Sequence, residues 1–221
     1  NADPCNTFDR IMDMSEQHNL KSAFYFITDH SGGSIDGIYD LHHPLMRGLL
    51  KKIHQRGHEI GLHTSYNTYR NPKQTQKELE ILQQVCAEEG IKQNRWGGRQ
   101  HYLRWETPTT LQNWNDSGLD YDSTLSYADV AGFRCGICYE YPTFNVVTRQ
   151  PLQLRERPLI VMECTVLDKR YMNLTITLAL NKIKEYKQAC QLFDGDFTIL
   201  WHNTRFINLQ EVNLYEEVLS W

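Results

Sequence analysis

Short apolar runs alternate with amphipathic stretches along the chain. The apolar runs have the length and residue types of buried strands and span residues 22–27, 58–63, 158–166 and 197–201. The amphipathic stretches repeat apolar residues at helical spacing over 7–18, 44–56, 107–117, 174–193 and 209–219, and another runs from Asn71 to Gly90. Strands that alternate with helices predict an α/β protein with a largely parallel sheet.

Length and composition indicate one globular domain. No repeat and no Pro/Gly/Ser-rich linker divides the 221 residues, so we expect a single domain over 1–221. A formal net charge of -4 gives no electrostatic reason to expect a nucleic-acid partner. No apolar run approaches the roughly 20 residues that a membrane-spanning helix needs, so we expect no membrane span.

The first residues and the cysteines bear on where the protein works. The sequence starts NADPCNTFDR, with neither a basic start nor an apolar core, so we expect no signal peptide. It also lacks an initiator Met, so we expect a processed chain or a fragment. Of six cysteines only Cys135 and Cys138 are closely spaced, and no second pair completes a zinc ribbon. Reduced thiols and a cytoplasmic location are therefore favoured.

Histidines stand where strands are predicted to end. In a parallel sheet of this class, functional side chains lie on the loops after the strands' carboxyl ends. His63 ends the run 58–63, His101 follows Arg99, and His202 follows the run 197–201. Such a histidine can turn a neutral imidazole nitrogen toward a metal, although a lone one is more often a hydrogen-bonded core residue.

The segment 57–67, GHEIGLHTSYN, resembles the metal-binding motif of the polysaccharide deacetylases, carbohydrate esterase family 4. In that family a strand G-H-E-[IL]-G-x-H leads into H-[ST]-x-x-H, and both histidines of the second element bind the metal. His63 and Thr64 match, so the resemblance implies that His63 is a metal ligand. Asn67 stands where the second histidine belongs, and an amide oxygen is a weaker ligand for zinc-like metals than imidazole.

The segment 99–102, RQHY, resembles the family motif R-x-P-[FY]. The resemblance implies that Arg99 orients a catalytic carboxylate and that the backbone N–H of Tyr102 helps form an oxyanion hole, a donor worth roughly 10²–10³ in rate. The preceding Gly97-Gly98 permits close backbone approach. His101 replaces the proline. Either it supplies the imidazole missing at Asn67 as a second metal ligand, or it is a loop histidine without a ligand role.

The segment 198–203, TILWHN, resembles the last motif of the family, an apolar pair followed closely by histidine. The resemblance implies that His202 protonates the leaving amine, and the ordinary pKa of histidine suits a general acid near neutral pH. The family also opens with T-F-D-D, whose two carboxylates serve as general base and metal ligand. No Asp-Asp pair occurs here, so we expect the chain to begin after a strand that carries them and to be inactive as given.

The resemblance implies a distorted (β/α) barrel that lacks its first strand, and a divalent metal, zinc, as cofactor. It is closest to the bacterial branch associated with surface-polysaccharide and O-antigen biosynthesis. The implied reaction is hydrolysis of a non-peptide carbon–nitrogen bond, the N-deacetylation of a carbohydrate, with specificity in the loops 28–41 and 127–145. Two alternatives stay open: a hydrolase of a small cyclic amide or imide on the same fold, and a non-catalytic carbohydrate-binding relative.

Overall fold

The computed structural model describes residues 3–220 of the chain. The helices are α1 (Phe8–Gln17), α2 (Pro44–Gln55), α3 (Pro72–Glu88), α4 (Thr109–Asp116), α5 (Glu163–Leu167), α6 (Ile176–Leu192) and α7 (Leu209–Leu219). The strands are β1 (Ala23–Phe26), β2 (Glu59–Thr64), β3 (Gly97–Gln100), β4 (Tyr121–Asp122), β5 (Tyr141–Asn145), β6 (Gln150–Glu156), β7 (Val161–Met162) and β8 (Ile199–Leu200).

The described residues form two compact units. The larger unit comprises Ala23–Leu125 and Glu140–Arg157, and the smaller one comprises the described residues up to Ser22, Ser126–Tyr139 and the chain from Pro158 onward. A single domain over the whole chain stays a prediction.

The larger unit is built on a six-stranded sheet in the order β1-β2-β3-β4-β6-β5. Four neighbouring pairs are parallel, and only β5 runs antiparallel, against β6. This mixed α/β arrangement confirms the predicted fold class, while closure into a barrel stays a prediction. The parallel strands bring the loops after β1, β2 and β3 to one edge of the sheet.

Helices α2 and α3 begin where their sequences provide caps. The His43 ring accepts the Leu45 N–H at 3.2 Å before α2, and the Asn71 side chain accepts the Gln74 N–H at 3.1 Å before α3. Both helices open with a proline, which has no N–H to leave unsatisfied. Their apolar stripes are buried at Leu50, Ile53, Leu79, Leu82 and Val85.

Two glycines on β3 let the neighbouring strands approach it closely. A Cβ built on Gly98 would lie 1.8 Å from the Leu62 carbonyl oxygen, and one built on Gly97 would lie 2.2 Å from the Tyr121 ring. No side chain fits at such distances, so only glycine permits this spacing. The close approach expected at 97–98 is therefore present.

The smaller unit contains α1, α5, α6, α7 and the parallel pair β7–β8, in which Val161 pairs with Ile199 and Met162 with Leu200. Its core consists of buried apolar side chains, including Ile160, Val161, Val166, Ala179, Ile183, Leu214 and Val218. Among the helices that the structure describes, none is both long enough and apolar enough to cross a membrane.

Two sequence-based expectations about local structure are corrected. The apolar run 158–166 is not one strand, because only Val161–Met162 pair with a neighbour and the chain turns into α5 at Glu163. A buried strand and a short buried helix have the same apolar composition, and the two-residue partner β8 limits the pairing. The loop expected over 127–145 ends in a strand, Tyr141–Asn145, which forms a hairpin with β6.

Candidate active site

The loops that follow β1, β2 and β3 meet at one buried carboxylate, Asp36. The residue as a whole is 1% exposed. One oxygen, Oδ1, accepts the Tyr66 backbone N–H at 2.7 Å and a hydrogen from His101 Nδ1 at 2.7 Å. The other, Oδ2, accepts the Gly32 N–H at 2.6 Å. Asp36 therefore holds three separate segments together, and an isolated aspartate in a polar loop gave no sequence signal for this role.

His63 and His101 lie next to each other at this meeting point. His63 is on β2, and its Nδ1 lies 2.8 Å from the backbone carbonyl oxygen of Arg99 on β3. A carbonyl only accepts, so this contact places the proton of neutral His63 on Nδ1 and the lone pair on Nε2. The contact with the Asp36 carboxylate likewise places a proton of His101 on Nδ1 and leaves Nε2 as the other ring nitrogen. The two ring centroids are 4.9 Å apart.

Asn67, which occupies the position of the family's second histidine, is bound to its neighbours through both amide atoms. Its Nδ2 donates to the Ser31 carbonyl at 2.8 Å, and its Oδ1 accepts from Arg104 at 3.3 Å. The amide oxygen is therefore engaged by a cation. These contacts give Asn67 a role in joining loops.

A buried glutamate fixes the chain just after His63. Glu78 on α3 is fully buried and accepts the Ser65 N–H at 2.9 Å, the Thr68 hydroxyl at 3.0 Å and the Gln74 amide at 2.8 Å. Burial raises the pKa of Glu78, and the hydrogen bonds from Ser65 and Gln74 act in the opposite direction. The turn that follows the histidine is therefore anchored to a helix.

The chain turns sharply at Tyr102. Its φ of 59° and ψ of 20° lie in the left-handed region, and Leu103 follows with a φ of 53°. Two consecutive non-glycine residues in that region store backbone strain, which tends to occur at functional sites. Tyr102 is 60% exposed, and its ring packs against His101 with a centroid distance of 4.7 Å. Its predicted part in an oxyanion hole stays a prediction.

Arg99 lies below this edge, inside the unit. Its guanidinium donates to the Ser123 carbonyl at 2.7 Å and to the Ser123 hydroxyl at 2.9 Å, and it stacks 5.1 Å from the Tyr25 ring centroid. Burial lowers the pKa of Arg99, and nearby tyrosine hydroxyls, followed by the carboxyl groups of Asp122 and Glu156, oppose that change. The side chain therefore secures β3 to the loop after β4, while its carbonyl orients His63.

Asp122 and Glu156 form a buried acidic pair beside Arg99. They are register partners on β4 and β6, and neither is exposed. Burial raises the pKa of Asp122 to about 6, and burial together with the charge of Asp122 raises the pKa of Glu156 well above its ordinary value. Two carboxyl groups this close in a dry interior favour sharing a proton.

The structure places His202 in the smaller unit, whereas the other predicted site residues lie in the larger unit. His202 follows β8, and its Nδ1 forms an ion pair with Glu163 and lies 3.6 Å from Cys164 Sγ. Burial by itself lowers the pKa of His202, but the contacts with Cys164 and Glu163 outweigh that and raise it. Its role as general acid stays a prediction.

The parallel sheet and its helices define an α/β protein, a class in which functional side chains commonly lie on the loops after the strands' carboxyl ends. A family model described as polysaccharide deacetylase matches residues 2–121, more than half of the chain. The chain belongs to the polysaccharide deacetylase family. The predicted enzyme class, a hydrolase of this type, is confirmed.

Solved structures share the fold. A Mycobacterium smegmatis protein described as a polysaccharide deacetylase has a TM-score of 0.68 and 17% identity, with 98% of this chain and 70% of that chain covered. The PuuE allantoinase has a TM-score of 0.61 and 12% identity, with 96% of this chain and 64% of that chain covered. A Pseudomonas aeruginosa PAO1 protein described as a polysaccharide deacetylase has a TM-score of 0.57 and 11% identity, with 96% of this chain and 65% of that chain covered.

The chain thus spans 64% and 65% of the last two structures. No curated protein sequence matches the chain.

Proposed function

We propose that this protein is a metal-dependent hydrolase that removes the N-acetyl group from a carbohydrate. The observation that carries the proposal is the adjacent pair His63 and His101, each with Nδ1 bound to an oxygen of its own partner. Metal-binding histidines are typically oriented by a carbonyl or carboxylate on the other ring nitrogen. This arrangement favours the ligand role for His101 over that of an idle loop histidine.

The donor set fits a borderline transition metal. Two neutral imidazoles suit zinc, cobalt or nickel better than magnesium or calcium, which prefer oxygen ligands. His63 and His101 would hold the ion through Nε2. When bound, such an ion polarises a carbonyl group and lowers the pKa of water.

The remaining residues would position the substrate and move protons. The Tyr102 N–H would stabilise the negative charge that develops on the acetyl carbonyl oxygen. His202 would give a proton to the leaving amine nitrogen. Asp36 and Arg99 act as positioning residues for His101 and His63. We further propose a bacterial, cytoplasmic role in surface-polysaccharide metabolism, with zinc as the native ion.

The test uses the full-length native protein, reconstituted with zinc, cobalt or nickel and incubated with oligosaccharides of N-acetylhexosamines. We expect acetate and a free amine to be released in equal amounts. His63→Ala should abolish the release, whereas His54→Ala, on α2, should retain it. The proposal is overturned if the reconstituted wild-type protein releases no acetate, or if His63→Ala releases it as fast as wild type.

The same assay separates the alternatives. The likeness to an allantoinase shows a shared fold, so allantoin is the probe for a small cyclic substrate. Consumption of allantoin without acetate release would replace the deacetylase proposal by that alternative. Binding of the oligosaccharide without turnover, in a protein that takes up no metal, would identify a carbohydrate-binding relative.

A further inference from the structure

Three side chains of types that commonly ligate metals lie together in the smaller unit, where its two parallel strands end. Glu163 and Cys164 open α5 directly after β7, and His202 follows β8, the strand paired with β7. One donor atom from each of the three lies within 4.8 Å of the other two. Strand pairing therefore brings together residues that are 38 and 39 positions apart.

The distances between the three donor atoms are close to those of a metal site. Cys164 Sγ lies 3.2 Å from Glu163 Oε1 and 3.6 Å from His202 Nδ1, and Nδ1 also contacts Oε1. In a tetrahedral zinc site, bonds of about 2.3 Å to sulfur and about 2.0–2.1 Å to nitrogen or oxygen separate neighbouring donors by about 3.3–3.6 Å. The 3.6 Å separation of Sγ and Nδ1 fits that spacing, the 3.2 Å separation of Sγ and Oε1 is slightly shorter, and Oε1 would move away from both on binding.

The contacts do not have the arrangement of a nucleophilic Cys-His-acid triad. A triad uses one ring nitrogen for the cysteine and the other for the carboxylate. In this cluster both contacts involve the same nitrogen, Nδ1 of His202. The cluster therefore lacks the relay of a triad, whereas one nitrogen, one sulfur and one oxygen close together are the donor types of a metal site.

Charge and burial favour a cation at this point. Glu163 is fully buried, and its Oε2 has no hydrogen-bond partner within the described part of the chain. Arg205 is shared by three carboxylates, with Glu163 at 3.7 Å, Glu211 at 3.5 Å and Asp168 in direct contact. Even with a protonated His202 beside Glu163, two positive charges face three carboxylates, and a buried carboxylate without a full counter-charge is costly.

We propose that Glu163, Cys164 and His202 bind a divalent transition metal of the zinc class. This site is separate from the His63–His101 pair, and the proposal does not depend on the deacetylase function. Arg205 donates to Cys164 Sγ at 3.2 Å and would stabilise the thiolate as an outer-sphere partner. The His202 side chain is 47% exposed, which leaves solvent access for a water as fourth ligand.

Cobalt titration of the full chain tests the site directly. Bound Co²⁺ with a thiolate ligand gives a near-ultraviolet charge-transfer absorption that histidine and carboxylate ligands do not give. We expect this band in wild type, its loss in Cys164→Ser, and its retention in Cys135→Ser, which changes another partly buried cysteine of the same unit that forms no disulfide. His63→Ala should keep the band while losing deacetylation, which separates the two proposals.

The proposal is overturned if wild type gives no band, or if the band persists in Cys164→Ser. A second measurement needs no variant and so does not depend on folding of the mutant. Peptide mapping after thiol alkylation should show that Zn²⁺ slows modification of Cys164 more than about tenfold and leaves Cys135 unaffected. Equal modification of Cys164 with and without Zn²⁺ would also overturn the proposal.

Discussion

His101 donates from Nδ1 to Asp36 Oδ1 over 2.7 Å, and the same oxygen receives the Tyr66 N–H at 2.7 Å. The histidine that replaces the family's proline is therefore oriented by a buried carboxylate from a different loop. Such a carboxylate–histidine pair fixes the tautomer and the orientation of the ring. This relationship makes His101 a testable ligand.

Substitutions at His101 and Asn67 should have different effects on the affinity for Zn²⁺. We expect His101→Ala to lower the affinity for Zn²⁺ more than about tenfold, because it removes one of two imidazoles. Asn67→Ala should change it little, since the Asn67 amide oxygen is engaged by Arg104. Competition with a chelator measures both, in a Cys164→Ser background that silences the second proposed site. Unchanged affinity in His101→Ala would remove His101 from the ligand set.

Asp36→Asn should weaken metal binding without abolishing it. The amide keeps the shape of the side chain but loses the charge that orients the His101 ring, and loss of such a partner typically costs about 10–100-fold in affinity. The same chelator competition measures the change. Asp40→Asn, an exposed aspartate of the same loop, is the control and should bind as wild type does. Equal affinity in the two variants would contradict the positioning role.

Gly98→Ala should severely destabilise the larger unit. The added Cβ would meet the Leu62 carbonyl oxygen at 1.8 Å, and backbone on a central strand cannot move without breaking its pairing. We expect a loss in unfolding free energy at or above the roughly 1–3 kcal/mol of ordinary overpacking. Gly48→Ala, in α2 with nothing within 4 Å, should instead stabilise by roughly 0.5–1 kcal/mol. Urea unfolding compares them, and equal effects would refute the close approach.

The buried acids predict a pH dependence of stability. The pKa of Asp122 is raised from 3.8 to about 6, so the folded state binds a proton more tightly than the unfolded state. The free energy by which protonated Asp122 stabilises the folded state is therefore fully present below about pH 4, and it is lost as the pH rises through about 6. Asp122→Asn should flatten the decline in unfolding free energy over that window. Urea midpoints at several pH values measure it, with the exposed Asp129→Asn as control; an unchanged decline in Asp122→Asn would contradict the assignment.

Most elements of the fold could be predicted because their signals are local. The helix that starts at Pro44 is marked by a proline, an apolar stripe and a terminal glycine, and α7 has the predicted bounds Leu209–Leu219. The hairpin of β5 and β6 was missed because its residues alternate weakly and gain strand geometry only by pairing. The strand expected to reach residue 166 ends at Met162 because β8 offers only two residues to pair with.

The candidate site could be predicted only in part. His63 and His101 were singled out by their positions after strands, and the structure places them side by side. Asp36 and Glu78 were missed, because an acidic residue in a polar segment looks the same whether it is solvated or buried. The pairing of Cys164 with His202 was equally hidden, since 38 residues separate them.

The sequence by itself determined the alternation of strands and helices, the hydrolase family and the histidines that follow the strands, since all of these depend on residue order over short distances. Tertiary structure alone decided which oxygen orients each of the His63 and His101 rings and that Asn67 accepts a hydrogen bond from Arg104. It also decided that donor atoms of Glu163, Cys164 and His202 lie within 4.8 Å of one another. The physical reason is that hydrogen bonds and ion pairs depend on separation in space, and parallel strand pairing brings distant segments to the same edge of a sheet.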